Sequence, residues 1–206
     1  LGWSLDDKTE HFSQQELIEK FSLERVVKSP ASFDPKKLQA FEDRHFQLLP
    51  QQQKIELTTP FLEKVGLVKS PPTADEQRMI DAVVAAARDR IKVAGDILAF
   101  PDFFLKDEEL PYDEAAFEKC LRAGEGRALL SSFRERLAAV ESFDVDQLEA
   151  AMKQFVADQQ IKIGQIIHPV RVALTGKSVG LGLFDTLAIL GRERSLRRID
   201  RALARA

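Results

Sequence analysis

TADEQRMIDAVVAAARDRI, residues 73–91, decides the fold class. Thr73 is a favoured N-cap residue and Glu76 stands three positions on, the spacing at which each side chain reaches the other's backbone N–H. Behind that start, Met79, Ile80, Val83, Val84, Ala87 and Ile91 recur at helical spacing, which puts them on one stripe. The segment predicts a capped, amphipathic helix with one face committed to a core.

The same device recurs on both sides of it. Ser13 with Glu16 and Asp144 with Gln147 repeat the spacing, and Phe12 with Leu17 and Phe143 with Leu148 can add a hydrophobic staple. Val145, Leu148, Met152, Phe155 and Val156 then follow with helical periodicity. Further helices are expected over 35–46, 51–65, 113–121, 127–140, 184–190 and 193–204. Only residues 170–174 read as a candidate strand, so the fold class is all-α. Ser70-Pro71-Pro72 is the clearest breaker and gives expected domains 1–70 and 71–206. A softer break is expected near Pro111, where the loop from Pro101 carries the acidic run Asp107-Glu108-Glu109. That loop is assigned no role.

Composition excludes several classes of protein. The chain has 206 residues and a net charge of -3, which argues against a uniformly basic grip on nucleic acid. Its single cysteine, Cys120, cannot form an internal disulfide. No run approaches the roughly 18 apolar residues of a membrane helix. A soluble, cytoplasmic protein of a reducing compartment is expected, without membrane or DNA as a partner and monomeric. The start Leu1-Gly2-Trp3-Ser4 lacks both an initiator methionine and the pattern of a signal peptide, so a fragment of a longer protein is expected.

No catalytic or metal constellation emerges. His11, His45 and His168 sit in unrelated contexts and read as surface or packing histidines, with His168 extended because Pro169 follows it. Gly176-Lys177-Ser178 resembles the end of a phosphate loop, but Arg171 stands where the motif's first glycine belongs. Gly180 and Gly182 begin a dinucleotide pattern that Asp185 breaks. The most ordered feature is the last segment. From Arg192 to Arg205 it holds six arginines against Glu193 and Asp200. Arg194, Arg198, Arg201 and Arg205 fall on one stripe, with Leu196, Ile199 and Leu203 opposite. Arginine suits phosphate recognition. The alternative is a solvated face with weak ion pairs such as Arg197 with Asp200.

Two blocks, read together, resemble glutamyl-tRNA synthetase of the bacterial type. The first is Leu1-Gly2-Trp3-Ser4 with Asp6-Asp7, Phe12-Ser13, Glu16-Leu17-Ile18, Phe21, Leu23 to Val26, Lys28-Ser29-Pro30-Ala31, Phe33-Asp34 and Lys37-Leu38. The second is Arg171-Val172-Ala173-Leu174-Thr175-Gly176 with Gly182-Leu183-Phe184-Asp185, Leu190-Gly191, Glu193-Arg194 and Arg197-Arg198-Ile199. Between them, Arg88 to Val93 loosely resembles the family's anticodon-domain helix. After Leu38 the chain departs from the family, with Ala40 and Glu42 where Trp and Asn are usual, which puts any stem contact of this segment in doubt.

The resemblance implies a small helical stem-contact domain leading into a helical anticodon-binding region, and a tRNA partner specific for glutamate. It implies that Arg171 and Arg90 read anticodon bases, with Gly180, Leu181 and Leu183 close to them. Beside that, the charge pattern makes Lys177 and the stripe of Arg194, Arg198 and Arg201 the residues expected to hold backbone phosphates. No cofactor is expected in this segment. ATP and Mg belong to a catalytic domain whose loop is not in this sequence, and the segment alone should not catalyse the ligase reaction. The rival reading is a helical protein-interaction module or a stand-alone relative of the synthetase tail.

Overall fold

The computed structural model describes residues 2–28 and 32–206. Leu1 and the Ser29-Pro30-Ala31 part of the first family block lie outside the described residues. Nine α-helices follow in order among them: α1 (Gln14–Lys20), α2 (Pro35–Leu48), α3 (Gln51–Lys64), α4 (Ala74–Ala87), α5 (Glu114–Phe117), α6 (Gly126–Ala138), α7 (Val145–Asp158), α8 (Gly164–Thr175) and α9 (Leu183–Arg205). No strand occurs among the described residues, and the class is all-α.

The capping reading explains why the helices start where they do. In α4 the Thr73 side chain accepts from Glu76 N, and the Glu76 carboxylate accepts from Thr73 N at 2.7 Å. Ser13 and Glu16 make the same reciprocal pair on α1. Asp144 caps α7 by accepting from Gln147 N at 2.9 Å. Because each cap satisfies a donor that the helix itself cannot, Thr73→Ala should cost about 1 kcal/mol. Urea unfolding of the variant should show that loss at an unchanged slope.

The chain forms two compact units, residues 1–42 and 43–206. In the first, neither α1 nor the 3₁₀ turn Leu23–Arg25 buries a residue. Its ring contacts include Trp3 against Phe12 at 5.8 Å, Trp3 against Phe21 at 5.6 Å and His11 against Phe41 at 4.8 Å between centroids. The second unit holds the core. Ile80, Val83, Val84 and Ala87 of α4 join Leu130, Phe133 and Leu137 of α6, Leu148 and Met152 of α7 and the buried run of α8. In this unit α3 packs against α4 and against the 3₁₀ segment Ala94–Ala99. Pro71 and Pro72 therefore sit in a turn between packed helices, and the division falls at Glu42/Asp43.

Three local expectations are corrected. Residues 170–174 lie in α8, where Val170, Val172, Ala173 and Leu174 are all buried. Only the end of the helix is buried all round, and a five-residue apolar run taken by itself is too short to tell helix from strand. His168 and Pro169 are helical as well. Proline early in α8 removes only the bond its N–H would have made to the carbonyl four residues back. Finally, α4 stops at Ala87. Arg88 has φ 51°, and Arg88–Arg90 form a 3₁₀ turn instead of continuing the helix.

The two helices expected after residue 183 are present as the halves of α9, which bends at Gly191 with φ 73°. The segment 101–111, expected as an unassigned loop, buries Asp102, Phe103 and Leu110. It is bound to α9 by the contacts described next.

Candidate nucleic-acid interface

The turn that joins α8 to α9 is built by two glycines and a threonine. Gly176 ends α8 in the left-handed region at φ 73°, and a Cβ there would sit 1.9 Å from the Pro111 carbonyl oxygen. Its own carbonyl accepts from Asp113 N at 2.8 Å, which pins the turn to the start of α5. The Thr175 hydroxyl donates to the Arg171 carbonyl at 2.9 Å. At the other end Gly182 caps α9, and both the amide and the hydroxyl of Thr186 donate to the Gly182 carbonyl at 2.8 Å. Between these anchors Ser178 and Val179 project outward, Val179 with 75% of its surface exposed.

Arg171 stands at the base of this turn, half-buried, with its guanidinium donating to the Leu181 carbonyl. Its remaining donors have no partner among the described residues. Burial first, and the positive charge of Arg90 second, push the Arg171 guanidinium below its ordinary pKa. The charge of Arg90 therefore reaches Arg171, although the two lie 81 positions apart. A half-buried guanidinium with open donors and no ion pair among the described residues favours an incoming acceptor. Gly180 lies over the guanidinium, where a Cβ would stand in ordinary van der Waals contact with Arg171 Nη1 at 3.8 Å. The Leu181 and Leu183 side chains are buried in the core, at 1% and 4% exposure. They shape the turn from beneath, and the surface it offers is that of Ser178, Val179 and Gly180.

The expected phosphate-binding stripe is corrected. Arg198 is fully buried, with its guanidinium on Asp107, Leu174 O and Asp102 O. Arg194 binds Asp107 at 2.9 Å together with Phe103 O and Leu105 O. Arg201 binds Leu110 O and Glu108 O, and its guanidinium lies 4.9 Å from the Tyr112 ring centroid. Arg197 pairs with Asp107 rather than with Asp200, which belongs to Arg134. The stripe is cationic because it clasps the segment 102–112, where carbonyls and one carboxylate need donors. Neither a phosphate face nor a solvated face describes it. Lys177 is half committed in the same way, its Nζ on Ala99 O at 3.1 Å and Asp102 at 2.9 Å, which fixes the turn's first residue.

Sequence reasoning missed Asp107 and Asp102. Asp107 is 11% exposed; burial would raise its pKa, but hydrogen bonds from Arg198 and Arg194 outweigh this and hold it below the ordinary value. The available signal was an acidic run in a loop and an arginine stripe on a later helix, each left without a partner. Among the described residues no group of three potential ligands could hold a metal ion, and no helix is long and apolar enough to cross a membrane.

Comparison with known proteins agrees with the all-α fold. The anticodon binding domain family matches residues 53–203. The glutamate–tRNA ligase of Roseiflexus castenholzii is 37% identical over 203 residues, covering 98% of this chain and 40% of the relative. That of Moorella thermoacetica is 35% identical over 202 residues, covering 98% and 41%. The chain therefore spans about 40% of the length of the curated relatives it matches. The solved structure of a glutamate tRNA ligase from Elizabethkingia meningosepticum, in complex with its amino acid, shares the fold with a TM-score of 0.85 at 22% identity. That match covers 99% of this chain and 39% of the other. By the match to most of its length, the chain belongs to the anticodon binding domain family.

Proposed function

We propose that the chain is the tRNA-recognition region of a glutamate–tRNA ligase and that it reads anticodon bases at the turn 176–183. The observation that carries this reading is Arg171, which stands at the base of the turn with one donor on Leu181 O and the others without a partner among the described residues. Unstacked bases are recognised by hydrogen bonds to their edges and by packing on planar or apolar groups. Arg171 supplies the donors, and Val179 supplies an exposed apolar surface beside them. Lys177 keeps the turn in register and leaves part of its charge to the solvent side. ATP-dependent glutamylation belongs to the remaining polypeptide of such a ligase, which is where ATP and Mg act. The parent is a cytoplasmic enzyme in this reading.

The test is binding of the chain to the anticodon stem-loop of glutamate tRNA, with each anticodon base replaced in turn and at several salt concentrations. Replacement of the base read by Arg171 should weaken binding by about 1–3 kcal/mol, with the other loop positions less sensitive. Equal affinity for every anticodon would refute the reading.

The interaction-module reading keeps one specific observation in its favour. Ile18, Phe21, Leu23, Val27 and Phe33 of the first unit are 50–76% exposed, a share of exposed apolar side chains that suits a surface for other polypeptide. It concerns residues 1–42 alone and leaves the proposal for residues 171–183 standing.

A further inference from the structure

Two cations stand at the turn after α8, and the fold treats them in opposite ways. Arg171 keeps donors open and has no ion pair among the described residues. Lys177 is clasped, its Nζ donating to Ala99 O at 3.1 Å and to the Asp102 carboxylate at 2.9 Å. The acceptor side of this clasp is fixed. Asp102 lies in the 3₁₀ turn Pro101–Phe103 and is 4% exposed, with Phe100 and Phe103 buried on either side of it. Arg198 bonds the Asp102 carbonyl, not its carboxylate, so Lys177 is the one donor bonded to that carboxylate among the described residues. The donor side is fixed as well, because Gly176 before it is held at φ 73° against the Pro111 carbonyl.

Energetics decide what such a lysine can do. A buried carboxylate is costly unless it is paired. A lysine that left Asp102 for a phosphate would strand that charge, and an exposed lysine–phosphate contact returns less than the stranding costs. The Lys177 side chain is still 37% exposed, so an RNA strand can approach it. What the strand meets is an ammonium with a carboxylate 2.9 Å away, and at phosphate distance the two charges largely cancel.

We propose that Asp102 is a selectivity residue, which neutralises Lys177 and so withholds the turn's lysine from RNA phosphates. Phosphate contacts carry no sequence information, and an unclasped lysine at the turn would hold any strand in any register. With Lys177 clasped, the turn draws its affinity from base edges through Arg171. The proposal rests on the reading of this turn as a base-reading site and adds the residue that keeps the site selective.

Asp102→Asn keeps the shape and removes the charge, and Lys177→Gln removes the ammonium while keeping an N–H donor. Affinity is measured from about 50 to 200 mM salt, a range over which one phosphate contact changes binding about threefold. Two RNAs are compared, the glutamate anticodon stem-loop and a single-stranded uridine oligomer. For Asp102→Asn the plot of log affinity against log salt should steepen by about 0.7 with the oligomer, the mark of one added phosphate contact on a single strand. The stem-loop should gain less, so the preference for it over the oligomer falls. Lys177→Gln should leave both slopes at their wild-type values, because the clasped lysine meets no phosphate. A readout without RNA is the acetylation rate of Lys177 relative to the exposed Lys119, which should rise in Asp102→Asn.

A folded Asp102→Asn with wild-type slopes, or a shallower slope in Lys177→Gln, overturns the proposal. If Asp102→Asn does not fold, the Lys177→Gln slope decides. If the wild type discriminates anticodons and the slopes stay put in Asp102→Asn, the selectivity role falls and the base-reading site stands. If the slopes and the acetylation rate change as expected but the wild type binds every anticodon equally, the base-reading site falls and the neutralisation of Lys177 by Asp102 stands.

Discussion

Asp107→Asn should destabilise the second unit by about 3–5 kcal/mol, because removing one partner of a buried ion cluster strands the opposite charges. The Asp107 carboxylate takes donors from Arg194, Arg197 and Arg198, and Arg198 has no exposed surface through which water could compensate. The amide that replaces it keeps the shape and loses the charge. Thermal unfolding should show a melting temperature lower by about 6–20 °C for a unit of this size. Glu109→Gln, two residues on, is a matched control. Its partner is Lys106 at 3.5 Å and the pair is exposed, so the melting temperature should not move. The pH dependence has a definite sign. The folded-state pKa of Asp107 is depressed, so its contribution is complete above the unfolded value of about 3.9 and is lost as pH falls through the lower folded value. Urea unfolding at a series of pH values should show the wild-type advantage steady from neutrality to about pH 4 and shrinking below it. An advantage that grew in acid would contradict the assignment.

Gly176→Ala should be the second costly change. The left-handed backbone at φ 73° disfavours any side chain by about 1–2 kcal/mol. A Cβ 1.9 Å from the Pro111 carbonyl oxygen adds an overlap that only backbone movement relieves, for about 1–3 kcal/mol more. Stability should fall by about 2–5 kcal/mol in total on these two terms. The movement also has a direction. Gly176 O holds Asp113 N at 2.8 Å, so the turn and the start of α5 shift together. RNA binding at the turn should therefore weaken along with stability. Gly124→Ala is the comparison: φ is 76° but nothing lies within 4 Å, so only the smaller conformational term applies.

Much of the architecture was legible because local signals and packing agree. Thr73 with Glu76 and Ser13 with Glu16 form the reciprocal caps that their spacing specifies, and the stripe Ile80, Val83, Val84 and Ala87 is the buried face of α4. Gly191, read as a gap between two helices, is the bend in α9. Residues 170–174 misled because the end of α8, from Val172 on, is buried, and a run of five residues is too short for its period to separate helix from strand. Arg198 misled for a deeper reason. Helical spacing tells which residues share a face, but not whether that face meets water or another segment. The segment that covers it, 102–112, comes 80 or more positions earlier and carries no periodic signal of its own. Arg171 and Arg90 were singled out only through the resemblance to a family, since no local pattern links two residues 81 positions apart. Asp102 and Asp107 were not legible, because an acidic run in a loop reads as solvated until its partner is placed.

The division of labour between arginines that hold the fold and the arginine that meets RNA is tested most directly by one comparison. Arg171→Ala and Arg198→Ala are each measured by thermal unfolding and by binding to stem-loops with intact and altered anticodons. Arg171→Ala should keep most of its stability, since its guanidinium makes one protein hydrogen bond, to Leu181 O, and should lose the discrimination between anticodons. Arg198→Ala should unfold at a markedly lower temperature, and below that temperature it should still distinguish the anticodons. Full anticodon discrimination by Arg171→Ala, or an unchanged melting temperature in Arg198→Ala, would contradict the assignment of these two roles.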